Sequence, residues 1–489
     1  MFLGIDIGTS AAKAVLVDDE ERVRAQASAP IEVSRPRPQW SEQNPDDWWR
    51  ATSDVLAALH ATEPGAMAAV RGIGLSGQMH GATLLDAADR VLRPAILWND
   101  GRSASECAEL ARRVPALEAI TGNRAMPGFT APKLLWVARH EPEVFARVAK
   151  VLLPKDHVRL RLSGEYASDM SDAAGTLWLD VGARAWSAAV LDATRLPESA
   201  MPRLFEGSEA TGSLRAEVAA RFGLPAGVPV AGGAGDNAAG AAGMGVLDPG
   251  QAFVSLGTSG VYFAASARFA PNTAAGVHTF CHCLPGRWHQ MSVILSAASC
   301  LAWLARVLGA DEATLLSDAE SEPPAPGQAP IFLPYLSGER TPHDDPHAQG
   351  VFFGLTHATT RAALTRAVLE GVAFAFADGQ AGLLDAGASL DDVAVIGGGA
   401  RSRLWGRILA SALGRPLAYR AGAELGAAFG AARLARLCVT DEPPERVCRP
   451  GPVEAVVEPD PALVARSLER LPRYRRLYRR LRDEFRAEP

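Results

Sequence analysis

The residues with chemistry to offer gather at a few glycine-flanked turns. In the stretch 230–245, built otherwise of Val, Ala, Gly, Met and Asn237, the single ionisable side chain is Asp236. Apolar residues up to position 231 predict a buried strand end. The glycines after it predict a tight turn with backbone open to a ligand, and the following Ala/Gly run a closely packed helix. A carboxylate at such a turn stands at the mouth of an α/β sheet, beside the first free amides of the helix. It either takes a proton from a substrate hydroxyl or merely N-caps that helix.

Two further turns carry hydroxyls. Residues 2–7 and 11–17 read as the arms of a hairpin with Gly8, Thr9 and Ser10 at its tip, and Asp6 stands just before it. Residues 251–256 and 261–264 repeat the plan around Gly257, Thr258, Ser259 and Gly260. One such hairpin at the start of each half predicts two related domains, 1–244 and 245–489, facing each other across a cleft. Glycine lets backbone amides approach an anion, and the hydroxyls donate to phosphate oxygens. A third turn, Gly397, Gly398 and Gly399, follows a strand over 391–396 and precedes a helix begun by Ser402. It suits a flat ring or a phosphate lying against backbone.

Phosphoryl transfer needs these parts: charge neutralisation at the phosphates, donors on their oxygens, and a base that orients an attacking hydroxyl. Asp6 would hold Mg2+ through water, Thr9, Ser10, Thr258 and Ser259 would face phosphate oxygens, and Asp236 would accept the alcohol proton. An ordinary carboxylate is a weak base for an alcohol, so the proton should move late. A cleft that closes over the substrate would keep water from competing.

The elements that position these residues are legible in outline. Residues 72–77 match the dinucleotide pattern GxGxxG, but a strand over 82–85 and a turn over 86–90 follow instead of the helix that pattern needs. His80 therefore lies on a loop at a strand end, as a structural residue or a ligand. Asn99 and Asp100 follow a strand over 95–98, at the end where ligands of such sheets collect. Asn44 and Pro45 start a helix. Residues 128–140, with Lys133 and Trp136, read as a packed surface helix. A Pro-rich link over 323–330 precedes a strand over 331–336 and a polar loop over 337–342 of the kind that borders a cleft. Residues 424–437 form a small-residue helix. The last helix buries Tyr474, Leu477, Tyr478, Leu481 and Phe485 and turns its arginines to solvent.

Composition narrows the partners. With 489 residues, 48% hydrophobic and 21% charged, the chain suits a two-domain globular enzyme, and a net charge of -6 offers no general attraction to nucleic acid or an anionic membrane. No GxxxxGK[ST] loop is present. The first residues lack a signal-peptide pattern, and the best membrane candidate, 294–310, is broken by Arg306; a cytoplasmic protein is expected. Six scattered cysteines point to reduced thiols, and Cys281, His282 and Cys283 lack a second ligand pair for zinc.

Taken together, the motifs resemble the FGGY carbohydrate kinases. Residues 6–10 look like the first phosphate motif of that family, 255–260 like the second and 397–402 like its adenosine motif; 128–140 and 397–410 are similar to its two signatures. The resemblance implies two ribonuclease H-like α/β domains of the actin and hexokinase type, with the active site in the cleft between them. It implies ATP held by Gly8, Thr9, Ser10, Lys13, Gly257, Thr258, Ser259, Gly398, Gly399 and Ser402, and Mg2+ near Asp6. Residues 78–81, 97–102 and 235–240 look most like members acting on D-xylulose, which places Met79, His80, Asn99, Asp100, Asp236 and Asn237 at the sugar and makes Asp236 the base. Glycerol kinases usually carry a tryptophan-glutamine-arginine pattern in place of 99–102 and a glutamine after the catalytic aspartate. The rivals are kinases of the same fold for D-ribulose, a deoxyketose or gluconate, and, from another class, a sugar sensor that binds ATP without turnover. A homodimer is compatible with all of these.

Overall fold

In the computed structural model, which describes residues 1–322, 329–422 and 425–486, period-two alternation sets the first strand. Leu3, Ile5 and Ile7 enter one core, while Phe2 and Gly4 face another. The first sheet comprises β1 (Phe2–Ile7), β2 (Ala11–Val17), β3 (Val23–Pro30), β4 (Gly72–Gly77), β5 (Ala210–Ser213), β6 (Pro229–Ala231) and β7 (Ala234–Gly235). Its order is β5-β6-β4-β1-β2-β3, with β7 also on β4. β1 to β3 form an antiparallel meander, and β4 and then β6 continue the sheet in parallel.

The second sheet repeats this plan. β8 (Gly250–Leu256), β9 (Gly260–Ser266), β10 (His278–Cys281), β11 (Trp288–Ile294), β12 (Leu390–Ile396), β13 (Leu417–Arg420) and β14 (Val453–Val457) run in the order β10-β11-β9-β8-β12-β13-β14. The β8, β9, β11 meander and the parallel β12 and β13 match the first sheet strand for strand. Both predicted hairpins are therefore present, each at the same place in its sheet.

Helices cover the sheets on both faces, as the near-continuous apolar parallel strands require. The helices that matter to the site are α1 (Pro45–Thr62), α2 (Thr130–His140), α3 (Pro154–Ser163), α4 (Met170–Ala174), α5 (Asp236–Met244), α6 (Arg361–Asp385), α7 (Arg403–Leu413), α8 (Gly426–Val439) and α9 (Pro461–Leu481). Trp48, Val55, Leu56 and Leu59 of α1 and Val158 and Leu162 of α3 pack one face of the first sheet. Its other face receives Ala428, Ala432 and Ala435 of α8, a helix from the second half of the chain. A Cβ on Gly4 or Gly74 would fall 1.9 Å from a carbonyl oxygen of α8, so those two strand glycines let the helix lie against bare backbone. Val368, Val372 and Phe376 of α6 and Leu404, Trp405 and Ile408 of α7 cover the second sheet.

Several expectations are corrected here. The 128–140 helix is not at the surface: in α2 Lys133 is fully buried and Trp136 nearly so, because the helix packs against residues of both halves. Among the described residues, the helix long and apolar enough to cross a membrane is α6, not the 294–310 segment, and 83% of its apolar window is buried inside the fold. The arginines of α9 are not all solvated: Arg466 and Arg470 both bond Glu370, and Arg475 bonds Asp378. Positions 323–328 of the Pro-rich link, and 424 at the start of the small-residue helix, lie outside the described residues.

Candidate active site

Strand register brings the acidic residues together. Asp6 on β1 is level with Ser76 on β4, and Ser76 is level with Ala234 on β7. Neighbouring strands lie about 4.8 Å apart, so the carboxyl ends of three adjacent strands share one short edge. Asp236 follows immediately as the first residue of α5. The cap position belongs to Gly235, and no side chain caps this helix. The merely capping role for Asp236 is thus not what the chain adopts.

Asp236 Oδ1 accepts from the Asn237 amide at 2.7 Å and from Asn237 Nδ2 at 2.9 Å. Among the described residues no hydrogen bond engages its Oδ2. Burial, reinforced by the charge of Asp6, pushes the Asp236 carboxyl up to about 7, against the pull of the two Asn237 bonds. Asp6 is raised as well, chiefly by burial, with the Ser76 hydroxyl at 2.9 Å and the charge of Lys13 opposing. Lys13 stands directly across the β1–β2 hairpin from Asp6, on the exposed side of the chain. Two neighbouring buried carboxyls, one of them raised by the charge of the other, are a fitting place for a divalent cation.

On the sugar side, His80 has a positive φ of 70° in the loop that follows β4. Its Nδ1 lies 2.5 Å from the Gly175 carbonyl, its own carbonyl accepts from Lys133 Nζ at 2.8 Å, and its ring meets Phe129 edge-on. Burial first, then the Lys133 charge, lowers the imidazole to about 3. The ring is neutral, so Nδ1–H donates to Gly175 and Nε2 is left as an acceptor. Met79 is buried beside it, its thioether wedged between Gly175 and Gly235, where a Cβ on either glycine would lie within 3 Å of it. Asn99 is exposed at the strand end.

Asp100 departs from expectation. Its two oxygens accept from the Ser41 amide and from the amide, Nε and Nη2 of Arg102, at 2.6 to 2.9 Å. Arg102 in turn bonds Glu42 and lies over the Trp40 ring and near Trp136, two rings that meet edge-on. Both partners of the Asp100–Arg102 pair are 1% exposed, so Asp100 is a structural counter-ion and not a sugar ligand. Removing one partner of a buried pair strands the other charge, so Asp100→Ala should cost about 3 kcal/mol of stability. Thermal melts check this. In the protein that remains folded, the sugar KM should be unchanged, whereas a sugar ligand would raise it.

On the phosphate side, the Gly8 amide closes the first tip onto the Ala11 carbonyl at 3.0 Å, and Ser10 is exposed. The Thr9 hydroxyl does not face an anion: it donates to Gln78 Oε1 at 2.9 Å and accepts from the Trp98 indole at 3.0 Å, locking the hairpin to its neighbours. At the second tip Thr258 is exposed and Gly257 and Ser259 are half-buried. The triple glycine lies against that tip. A Cβ on Gly397, at φ +95°, would sit 2.6 Å from the Leu256 carbonyl, and one on Gly399 2.6 Å from the Leu256 side chain, while Gly398 has open space above it. Ser402 is a helix cap, its hydroxyl accepting from the Trp405 amide at 3.2 Å and keeping its own proton to donate.

Three residues near these groups carry no signal of their own in the sequence: Ser171, Gly175 and Arg340. Arg340, from the polar loop of the second half, brings a cation close enough to depress both His80 and the buried His278. Burial opposes its charge. The loop was legible as a cleft border, but which of its residues turns inward depends on the fold. Cys281 and Cys283 are buried thiols, and no metal-holding cluster of His, Cys, Asp or Glu is found among the described residues.

Comparison with known proteins agrees with this layout. The N-terminal domain of the FGGY family of carbohydrate kinases matches residues 1–243, and the C-terminal domain of that family matches 252–437. A protein named xylulose kinase from Escherichia coli (strain K12) is 53% identical over 98% of this chain and 99% of its own. Another of that name, from Klebsiella pneumoniae, is 52% identical over 99% of both. The crystal structure of a xyloylose kinase from Brucella ovis shares the fold with a TM-score of 0.95 at 54% identity, over 99% of each chain.

Proposed function

Because the chain belongs to the FGGY family of carbohydrate kinases, we propose that it transfers the γ-phosphoryl group of ATP to the terminal primary hydroxyl of D-xylulose, giving D-xylulose 5-phosphate, with Asp236 as general base. The observation that carries the chemistry is the Asp236 carboxyl. Among the described residues its Oδ2 makes no hydrogen bond, and it is raised to about 7 at a strand edge shared with Asp6. The substrate rests on likeness to the xylulose kinases over nearly the whole chain.

His80 Nε2 accepts a sugar hydroxyl, and Met79 packs against the sugar carbons. Asn237 holds Asp236 Oδ1 so that Oδ2 meets the attacking hydroxyl. A base near 7 is about half ionised at neutral pH and closer in strength to the alcohol than an ordinary carboxylate, although transfer of the proton still comes late. Residues 1–244 supply the sugar site, the base and the first phosphate hairpin; residues 245–489 supply Gly257, Thr258 and Ser259 for the phosphates and the Gly398 face for the adenosine. Mg2+ beside Asp6 would neutralise phosphate charge during transfer. Lys13, across from Asp6, adds a second positive group at the same place. Closure of the cleft excludes water from the donor phosphate.

An assay of ADP release with Mg-ATP against D-xylulose, D-ribulose, L-ribulose, L-xylulose, glycerol and gluconate tests this. D-xylulose should lead in kcat/KM by about tenfold or more. A different leader by that margin would refute the substrate and leave the base standing. ATP binding without turnover on any of them would favour the sensor.

A further inference from the structure

Beneath the candidate site lies a group of charges that reaches neither solvent nor substrate. Lys155 of α3 is fully buried, with Nζ at 2.6 Å from Asp156, 2.8 Å from Asp169 and 3.2 Å from Asp172, all of them fully buried too. One turn on, Arg159 donates to the Ala231 carbonyl at 2.6 Å and the Gly232 carbonyl at 2.5 Å, in the turn that leads to Asp236. Burying so many charges gives no general gain over a well-packed apolar core, so what they hold is informative.

They hold α4. Asp169 caps this helix, accepting from the amides of Ser171 and Asp172 and from the Ser171 hydroxyl, and its other oxygen is bound to Lys155. The Ser171 hydroxyl then accepts from the Gly235 amide at 3.1 Å, the residue immediately before Asp236. At the far end of the same helix, the Gly175 carbonyl takes Nδ1–H of His80. Gly175 also leaves no room: a Cβ there would lie 2.7 Å from Met79 Cε and 2.8 Å from His80 Cε1. One short, buried helix therefore holds the residue before the base at its first turn and the histidine at its C-terminal cap.

We propose that Ser171 and Gly175 are positioning residues, and that α4, fastened to Lys155 through Asp169, fixes the spacing between Asp236 and His80. This rests on the assignment of Asp236 as base and His80 as sugar contact. The two ends of the helix act on different partners, so their variants should separate kinetically. Ser171→Ala leaves the Gly235 amide without its acceptor and loosens the turn that carries the base. Its kcat should fall about thirtyfold with the D-xylulose KM within about threefold of the parent, because an error of less than an ångström at the reacting atom suffices for such a loss. Gly175→Ala keeps an ordinary backbone φ and pushes Met79 and His80 aside. It should raise the D-xylulose KM about tenfold while kcat and the ATP KM stay within about twofold.

Steady-state kinetics of both variants on D-xylulose, beside Asp236→Asn and with ATP-induced thermal shifts to confirm folding, decide the matter. The crossed pattern, kcat from one end and KM from the other, supports the proposal. A folded Ser171→Ala enzyme at parental kcat, or a folded Gly175→Ala enzyme at parental KM, overturns it. Should Ser171→Ala fail to fold, the Gly175→Ala KM alone decides. An active Asp236→Asn would instead overturn the base assignment, which is a separate failure.

Discussion

Asp236→Asn should lower kcat by about a thousandfold while leaving the ligand-free protein more stable than the parent at pH 8.5. The rate loss follows from removal of the base. The gain in stability follows from the same carboxyl. Its pKa in the fold is about 7, raised by burial and by Asp6, against about 3.9 in an unfolded chain. A carboxyl raised in the fold favours the folded state when protonated. That contribution is fully present below about pH 4 and is lost as the pH rises through about 7, where the folded protein must carry the charge. Asparagine has no charge to carry, so the gap between variant and parent should open above about pH 4, still be small at pH 5, and reach its full size above about pH 7. Metal-free melts at pH 5 and 8.5 give the comparison, with Asp6 and Lys13 as the charged groups facing the site. Mg2+ beside Asp6 offsets part of the charge that raises the base, so the parental kcat/KM with Mg-ATP should decline on acidification with a slope of one, from a pH below the metal-free value of about 7. A variant that keeps its turnover, or that melts below the parent at pH 8.5, defeats the assignment.

What the sequence made legible is what glycine and periodicity decide locally. The two hairpin tips, the Asp236 turn and the triple glycine are backbone features, and the glycines that mark them stand next to one another in the chain. At Gly397 the reason is visible in a φ of +95° and a carbonyl 2.6 Å from where a Cβ would be. Rejection of GxGxxG at 72–77 was also a local matter, since a loop and then the strand Thr83–Leu85 follow it.

Side-chain direction was less accessible. Thr9, Asp100 and Ser402 have polar side chains at expected motif positions, yet each is bonded to a protein partner. Those of Thr9 are Gln78 and Trp98, nearly 70 and 90 residues away. Arg102 lies close by in the chain to Asp100, but its burial depends on Trp40 and Trp136 arriving from distant parts of the chain. Lys133 looked like a surface lysine because an amphipathic helix does not reveal that its polar face will be covered as well. The α4 connection from Lys155 to Gly235 and His80 spans residues 80 to 235 and leaves no spacing that a single sequence could display.

Gly430→Ala should be severely destabilising, by about 3 kcal/mol or more. The Ala/Gly run after Asp236 forms α5, and the small-residue helix near the end of the chain forms α8; the two lie against one another at Gly430, Ala239 and Gly243. A Cβ on Gly430 would fall 1.8 Å from the Ala239 carbonyl oxygen and 3.0 Å from the Gly243 amide nitrogen. Both are backbone atoms, so no rotamer change relieves the overlap, and one helix must move. Helix propensity works the other way, favouring alanine by about 1 kcal/mol, which is too little to offset a contact of that kind. Gly240→Ala in α5 is the control: nothing lies within 4 Å of its Cβ position, so the same substitution should gain a few tenths of a kcal/mol or more there. The melting temperature should thus fall for Gly430→Ala and rise for Gly240→Ala. Because α5 begins at Asp236 and α8 also lies on β1 and β4 at Gly4 and Gly74, whatever folded Gly430→Ala protein remains should have a lowered kcat as well. A Gly430→Ala protein as stable as the parent would mean that the close approach of the two helices is not what holds the base in place.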